Sequence, residues 1–148
     1  MAFKATNIVL SRAYDEIKRE AVRAKNSATS VRTSAAAGSI SAASILALAA
    51  DLRSARINME ARASAPGVGQ YAKDQEDDAT YDVSAEYIAM RDGIDSVLAW
   101  ISTNMPSNGG YLQVQTLEAD GSLTQRSFAA GQTAGLRTAI TALEALIS

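Results

Sequence analysis

Residues 10–31 read LSRAYDEIKREAVRAKNSATSV, and this stretch decides the fold. Its apolar and small residues follow one another at alternating steps of four and three positions, which is typical of the seam of a packed α-helix. Thr6 or Asn7 can cap this helix, because either side chain can accept a hydrogen bond from an early backbone N–H group. The pattern predicts a helix over about residues 6–33. Its seam consists of Leu10, Tyr14, Ile17, Ala21, Ala24, Ala28 and Val31.

The next region is dominated by small side chains. From Ser27 to Ala50 the chain is almost entirely Ser, Ala, Thr and Gly, which fits either a flexible low-complexity segment or tightly packed helices. Larger apolar residues then resume helical spacing, which favours a second helix over about residues 40–63. Gly38 marks the predicted break, since glycine weakens a helix interior by ~1 kcal/mol; one continuous helix through Gly38 is the alternative. The spaced residues are Ile45, Leu48, Leu52, Ile57 and Met59.

Proline and glycine divide the chain after the second helix. The run Ala65-Pro66-Gly67 is a helix stop, and it opens a polar, acidic linker over residues 65–80. A third helix is predicted over residues 81–105, and Pro106 ends it because the residue before proline is pushed out of helical geometry. The apolar stripe of this helix consists of Val83, Tyr87, Ile88, Met90, Ile94, Val97, Leu98, Trp100 and Ile101.

A β-hairpin is predicted over residues 111–128. The two halves, YLQVQTL at 111–117 and SLTQRSF at 122–128, flank a turn in which Gly121 can take the left-handed conformation. Leu117 then pairs with Leu123. A two-stranded hairpin is marginal in water, so its apolar face is expected to lie on the helices or to add to a neighbouring subunit. The candidate assembly residues on that face are Leu112, Val114 and Phe128.

A last helix completes the predicted fold. Helical spacing of apolar residues predicts it over residues 130–147, and the 148 residues fit a single domain, 1–148. We therefore predict a mainly α fold: a helical bundle with three long helices, one β-hairpin and a C-terminal helix. Residues 1–64 form its basic part, as a helical hairpin or one long helix. The apolar residues of the last helix are Leu136, Ala139, Ile140, Leu143, Leu146 and Ile147.

The composition predicts a thin core. Hydrophobic residues make up 47% of the chain, but many of them are alanine, and aromatic residues make up only 5%. Because alanine buries little area, helix contacts within one chain should be close and modest in energy. We expect neighbouring subunits to supply part of the burial, and hence a homo-oligomer.

Several kinds of chemistry are excluded by residue type. The chain has no cysteine and no histidine, which excludes disulfides, thiolate nucleophiles, imidazole bases and zinc sites built on these residues. The acidic run Asp74, Glu76, Asp77 and Asp78 lacks the spacing and turn glycine of a calcium loop, so it is interpreted as a solvated loop. We predict a non-enzymatic protein with no catalytic residues, no metal, no cofactor and no small-molecule substrate.

Charge is distributed unevenly along the chain. Residues 1–64 carry ten Lys and Arg against five Asp and Glu, whereas residues 65–148 carry four against eleven. Lys18, Lys25 and Arg32 recur every seven residues on one face of the first helix, with Arg12 and Arg19 beside them. This basic face suits DNA phosphates or an acidic protein partner, such as the acidic half of a second copy.

The basic face also has a simpler interpretation. Acidic residues of the same helix can pair with its basic residues along a solvated surface, although Lys25 and Arg32 lack such local partners. The acids concerned are Asp15, Glu16 and Glu20, and the bases are Lys18, Arg19 and Arg23.

The sequence predicts neither a membrane span nor a signal peptide. No segment approaches the ~18 consecutive apolar residues that a spanning helix needs. The apolar run at residues 1–7, MAFKATN, is too short for a secretory signal. We expect synthesis in the cytoplasm without processing.

The stretch FAAGQTAGLRTAITALEALI at residues 128–147 resembles the ends of small virion proteins of tailed bacteriophages. Helices, a hairpin and a closing helix in a chain of this length also resemble head–tail connector (adaptor) subunits. The resemblance implies a homo-oligomeric ring beside the portal, with portal or tail subunits as neighbours, and location in the virion. It supplies no residue-level motif, so no functional residue is carried over.

A second interpretation belongs to a different class. Helices rich in Ser and Ala also suit a soluble regulatory or secretion-related protein that binds a partner helix as a small oligomer in the cytoplasm. The mass of the particle in solution separates the two, because a ring is much larger than a dimer or a one-to-one complex.

Overall fold

The computed structural model describes residues 7–63, 84–105 and 113–147, with side-chain surroundings for 15–62, 86–105 and 113–147. The helices are α1 (Asn7–Ala37), α2 (Ala42–Ala63), α3 (Ser84–Asn104) and α4 (Ala134–Leu146), and a 3₁₀ turn, Ala130–Thr133, precedes α4. The strands are β1 (Ser39–Ser41), β2 (Gln115–Leu117), β3 (Leu123–Gln125) and β4 (Ser127–Ala129). The predicted class, mainly helical with a β-hairpin, is confirmed.

Helices α1 and α2 run antiparallel and pack through small side chains. Arg62 Nη1 donates to Glu16 Oε2 at 2.5 Å, and Ser27 Oγ donates to Asp51 Oδ2 at 3.3 Å, so the two helices run in opposite directions. Small side chains at the seam let the two helix backbones approach closely. The small-residue region is thus helical, and the chain leaves the helix at Gly38 as predicted. The fully buried alanines are Ala21, Ala24, Ala28 and Ala35 on α1, and Ala42, Ala49 and Ala55 on α2.

The break after α1 contains a strand that the sequence did not predict. Strand β1 pairs antiparallel with β4, with Ile40 opposite Phe128. The predicted hairpin strand 122–128 therefore divides at Arg126: its first half pairs with β2 and its second half pairs with β1. The backbone N–H of Ala42 donates to the Arg126 carbonyl at 2.8 Å, which joins the start of α2 to this division.

Phe128 belongs to the core of the single chain. Only 8% of its surface is exposed, and its ring meets Trp100 edge to face with ring centroids 6.3 Å apart. The prediction that Phe128 lies on the hairpin face with Val114 is wrong, because pairing with β1 turns this residue inward.

Helices α3 and α4 close the core. Their buried residues repeat at helical spacing, with Met90, Ile94, Val97 and Ile101 on α3 and Leu136, Ile140, Leu143 and Ile147 on α4 or directly after it. Three apolar residues that the patterns had placed inside are instead exposed: Ile57 at 64%, Ile88 at 43% and Leu146 at 47%.

Strands β2 and β3 form the hairpin in the predicted register. Leu117 pairs with Leu123, and Gln115 pairs with Gln125. Gly121 has a φ of 87°, the left-handed conformation that glycine adopts without steric cost, and its N–H donates to the Glu118 carbonyl at 3.0 Å. The hairpin is shorter than predicted, because its regular pairing ends at Gln125.

Candidate functional site

The basic face of α1 divides into two parts. Lys18, Lys25 and Arg32 are each half-buried, and Arg19 is exposed. At 1.5 Å of rise per residue, the three heptad positions lie about 10 Å apart along the helix. Arg12 lies on α1, but its side chain is outside the described surroundings.

The C-terminal part of this face is bound within the chain. Arg32 donates from Nε to Glu144 Oε1 at 2.6 Å and from Nη2 to Glu144 Oε2 at 3.0 Å. Thr29 Oγ1 donates to the same Oε2 atom at 2.9 Å. The expectation that Arg32 is free for an external acidic partner is wrong, because its partner comes from α4, 112 residues away.

The electrostatics of Glu144 follow from these contacts. The hydrogen bond from Arg32 lowers the pKa of Glu144 below its usual range, against a smaller opposing effect of burial. The Thr29 hydroxyl and the charges of Arg32 and Lys25 lower it further. The charge of Lys25 therefore also acts on the α1–α4 contact. Because the pKa of Glu144 is lowered, the Arg32–Glu144 ion pair stays charged at neutral pH.

The N-terminal part of the basic face is more open. Lys18 and Arg19 line an open depression of about 350 Å³ with Asp15 and Val22. Neither basic residue has an ion pair among the residues whose side chains are described. This N-terminal part of the predicted surface for DNA or an acidic partner therefore has no ion pair within the described part of the chain.

Only one of the ion pairs expected along α1 forms. Glu20 pairs with Arg23 at 2.9 Å, and this hydrogen bond is the main cause that lowers the pKa of Glu20. Glu16 pairs with Arg62 of α2 instead of a residue of its own helix. The charges of α1 therefore serve both its own surface and its contact with α2.

The β2–β3 hairpin exposes apolar surface. Leu117 is 55% exposed and its cross-strand partner Leu123 is 47% exposed, and every residue from Thr116 to Gln125 is exposed. Val114 at the base is half-buried, and its carbonyl accepts the Arg126 N–H at 2.9 Å. Of the three predicted assembly residues, Leu112 lies outside the described residues, and the exposed aliphatic pair is Leu117 and Leu123.

The hairpin tip, defined here as residues 117–123, is acidic. Glu118 accepts a hydrogen bond from the Thr124 hydroxyl at 2.7 Å, and Asp120 accepts from the hydroxyl and the N–H of Ser122 at 2.6 and 2.9 Å. The Ser122 contacts lower the pKa of Asp120. Neither acid has a basic partner in the described part of the chain. The tip therefore combines two exposed leucines with two negative charges.

A groove runs between the C-terminal half of α1 and the exposed side of α4. Its volume is about 600 Å³. Sequence reasoning missed it, although small residues at helical spacing on α4, opposite the leucine stripe, are the signal that could have revealed it. This surface, called the α1–α4 groove below, is lined by Arg32, Ala36, Ala134, Arg137, Thr138, Thr141, Ala142 and Ala145.

Arg137 supplies positive charge to this groove. Its Nη2 donates to the Ala130 carbonyl at 2.8 Å, and its Nε lies 3.4 Å from Thr133 Oγ1. No carboxylate pairs with it within the described ranges, whereas the charge of Arg32 is balanced by Glu144. The groove thus carries one uncompensated guanidinium above a floor of small side chains.

No group of three or more acidic residues that could hold a metal ion occurs among the described residues. The acidic run Asp74–Asp78 and the linker 65–80 lie outside them. None of the described helices is both long enough and apolar enough to cross a bilayer.

The chain matches no protein-family model, no curated protein and no solved structure.

Proposed function

We propose that the protein is a non-enzymatic structural subunit that assembles through its β2–β3 hairpin. The observation that carries this proposal is the exposed cross-strand pair of Leu117 and Leu123. A side chain of this kind gains roughly 1.5–3 kcal/mol when it passes from full exposure to full burial. Two such side chains lie side by side on the hairpin, so a partner that covers them would be stabilised by their burial.

The backbone of the hairpin supports the same proposal. Strands β2 and β3 form a sheet of their own, and within the described residues no further strand pairs with the outer edge of either one. Such edges pair with other chains unless they are blocked. A ribbon of two short strands is also marginal by itself, and a partner would stabilise it.

The more specific proposal is a virion subunit of a tailed bacteriophage, of the head–tail connector type, in a homo-oligomeric ring beside the portal. It rests on the resemblance of residues 128–147 and on the order of helices, hairpin and closing helix. The portal or a tail protein would be its neighbour in the virion. Lys18 and Arg19 would then be the residues available for non-specific contact with DNA phosphates.

A second candidate is a small helical binding or regulatory protein. The α1–α4 groove favours it, because a floor of alanine and threonine lets the backbone of a partner helix approach closely. A protein of this kind would form a dimer or a one-to-one complex, and the groove would be its working surface.

Removing the hairpin tests the proposal. Residues 115–125 are replaced by a short Gly-Ser turn, and Arg126–Ala129 are kept because they pair with β1 and the start of α2. We expect helical circular dichroism to remain and higher assembly to disappear in light scattering. The matched control replaces the polar pair Gln115 and Gln125 by serine, which should leave assembly unchanged. Unaltered assembly of the shortened chain would contradict the proposal.

A further inference from the structure

The hairpin tip and the α1–α4 groove have complementary charges. The tip carries Glu118 and Asp120, and the groove carries Arg137; none of these three has an oppositely charged partner in the described chain. An Arg guanidinium has five N–H donors, and Arg137 uses two of them, so both N–H groups of Nη1 remain for a carboxylate.

The groove is also long enough for the turn of a hairpin. From Ala134 to Ala145 the rise of α4 is about 16 Å, and the two strands of a hairpin lie about 4.8 Å apart. A floor of alanine and threonine leaves about 600 Å³ of open volume for the side chains of a turn.

The tip does not occupy the groove of its own chain. Leu117 and Leu123 are about half exposed, and Arg126 is fixed at the hairpin base by the carbonyls of Val114 and Gln113 at 2.9 and 3.2 Å. The residues that line the groove include none of the tip, so in the described part of the chain the tip does not cover the groove.

We infer that the hairpin tip of one copy docks in the α1–α4 groove of a second copy. Asp120, in the turn, pairs with Arg137, while Leu117 and Leu123, which share one face of the hairpin, cover the small residues of the floor, including Ala142. This inference rests on the proposed assembly role of the hairpin, and it names the surface that receives it.

The contact is heterologous, because two different surfaces of the chain meet. Each bound copy still offers a free tip at one end and a free groove at the other. Repetition of such a contact gives a closed ring where the rotation closes, and a filament where it does not. The same contact explains why the chain keeps both surfaces open.

Two variants block one side each. In the tip variant, Leu117→Ser and Leu123→Ser remove the apolar pair. In the groove variant, Ala142→Glu fills the floor with a negative side chain and leaves the Arg137 hydrogen bonds intact. The matched control, Ala50→Glu, places the same change at an exposed alanine of α2. Circular dichroism verifies that all four chains, including the parent, keep the same helix content.

The masses of the variants, alone and mixed in equal amounts, test the inference by light scattering. We expect the parent and the control to assemble, and each blocked variant to be a monomer. The mixture should give a one-to-one dimer, since the tip variant keeps its groove and the groove variant keeps its tip. A groove variant that assembles like the parent, or a mixture that remains monomeric, would overturn the inference. Assembly of the tip variant, or a parent that stays monomeric at millimolar concentration, would overturn the proposed function as well.

Discussion

Arg32 of α1 and Glu144 of α4 form a two-point ion pair, with Nε–Oε1 and Nη2–Oε2 distances of 2.6 and 3.0 Å. The pair joins the first helix to the last across 112 residues of sequence. Thr29 adds a third hydrogen bond to the same carboxylate at 2.9 Å. The position of α4, and with it one wall of the α1–α4 groove, therefore depends partly on this contact.

Replacing Glu144 by glutamine should destabilise the fold slightly. The side chains of Arg32 and Glu144 are 33% and 23% exposed, so the pair lies between an exposed pair, worth about 0–1 kcal/mol, and a shielded charged hydrogen bond, worth about 1.5–3 kcal/mol. We expect Glu144→Gln to lower the free energy of unfolding by about 1 kcal/mol in urea titration. The control Glu60→Gln removes a pair whose carboxylate is 63% exposed, and its effect should be under about 0.5 kcal/mol. Equal losses of unfolding free energy in Glu144→Gln and Glu60→Gln would mean that the Arg32–Glu144 pair is no stronger than an exposed ion pair.

Acid should remove the Glu144 contribution. The pKa of Glu144 is lower in the folded chain than in the unfolded one, mainly because of the hydrogen bond from Arg32. The stabilisation is therefore complete above the unfolded pKa of about 4.3, and it is lost as the pH falls through the lower folded pKa. The difference in unfolding free energy between the parent and Glu144→Gln should be constant from about pH 6 to 8 and shrink below about pH 4. A difference that grows in acid would contradict the assignment.

The close contact between Gly135 and Trp100 leaves no room for a side chain. A Cβ atom at Gly135 would lie 2.9 Å from Trp100 Nε1 and 3.1 Å from its Cδ1, and the indole is rigid and packed on Phe128. Overpacking costs about 1–3 kcal/mol, and alanine regains up to about 1 kcal/mol in helix propensity. Gly135→Ala should therefore lower thermal stability, by about 1 kcal/mol net. Gly131→Ala, where a Cβ meets nothing within 4 Å, is the control and should be neutral; equal melting temperatures would contradict this packing.

Local patterns predicted the elements of this fold well. The seam of α1, the break at Gly38 and the pairing of Leu117 with Leu123 each depend on residues close together in sequence. Helical period, glycine chemistry and turn geometry act at that range, so the sequence alone carries the information.

Contacts between distant residues could not be predicted in the same way. Strand β1 is only three residues long and exists because Ile40 meets Phe128, 88 positions later in the sequence. Arg32 looked unpaired because its partner lies on the last helix. Both sides of the α1–α4 groove come from such distant segments, so the candidate site emerged only with the fold.

The open part of the basic face should bind DNA weakly. Lys18→Gln with Arg19→Gln should leave the free energy of unfolding unchanged within about 0.5 kcal/mol, because neither side chain has an ion pair among the described residues. Log K for DNA binding falls as the logarithm of the salt concentration rises. Each phosphate contact that the variant loses should make this slope less steep by about 0.9 on duplex DNA. A triple glutamine variant at Lys18, Lys25 and Arg32 would be a poorer test, since removing Arg32 also breaks the contact with Glu144. A parent chain that does not bind DNA at low salt would contradict this role.

Chelation should leave the stability unchanged. The chain has no cysteine or histidine, and the described residues include no acidic cluster that could hold a metal ion. We expect the same melting temperature with and without EDTA. A rise of several degrees on adding calcium or magnesium would show that the acidic linker binds a cation.

We propose that the chain assembles through the exposed leucine pair of its hairpin, and particle mass tests this. The most direct measurement compares the particle mass of the parent with that of Leu117→Ser/Leu123→Ser and of Ile57→Ser by size exclusion with light scattering. Ile57 is 64% exposed on α2, so its replacement removes exposed apolar surface away from the hairpin. We expect an oligomer for the parent and for Ile57→Ser, and a folded monomer for the double leucine variant. An oligomer of unchanged mass in the double variant would contradict it.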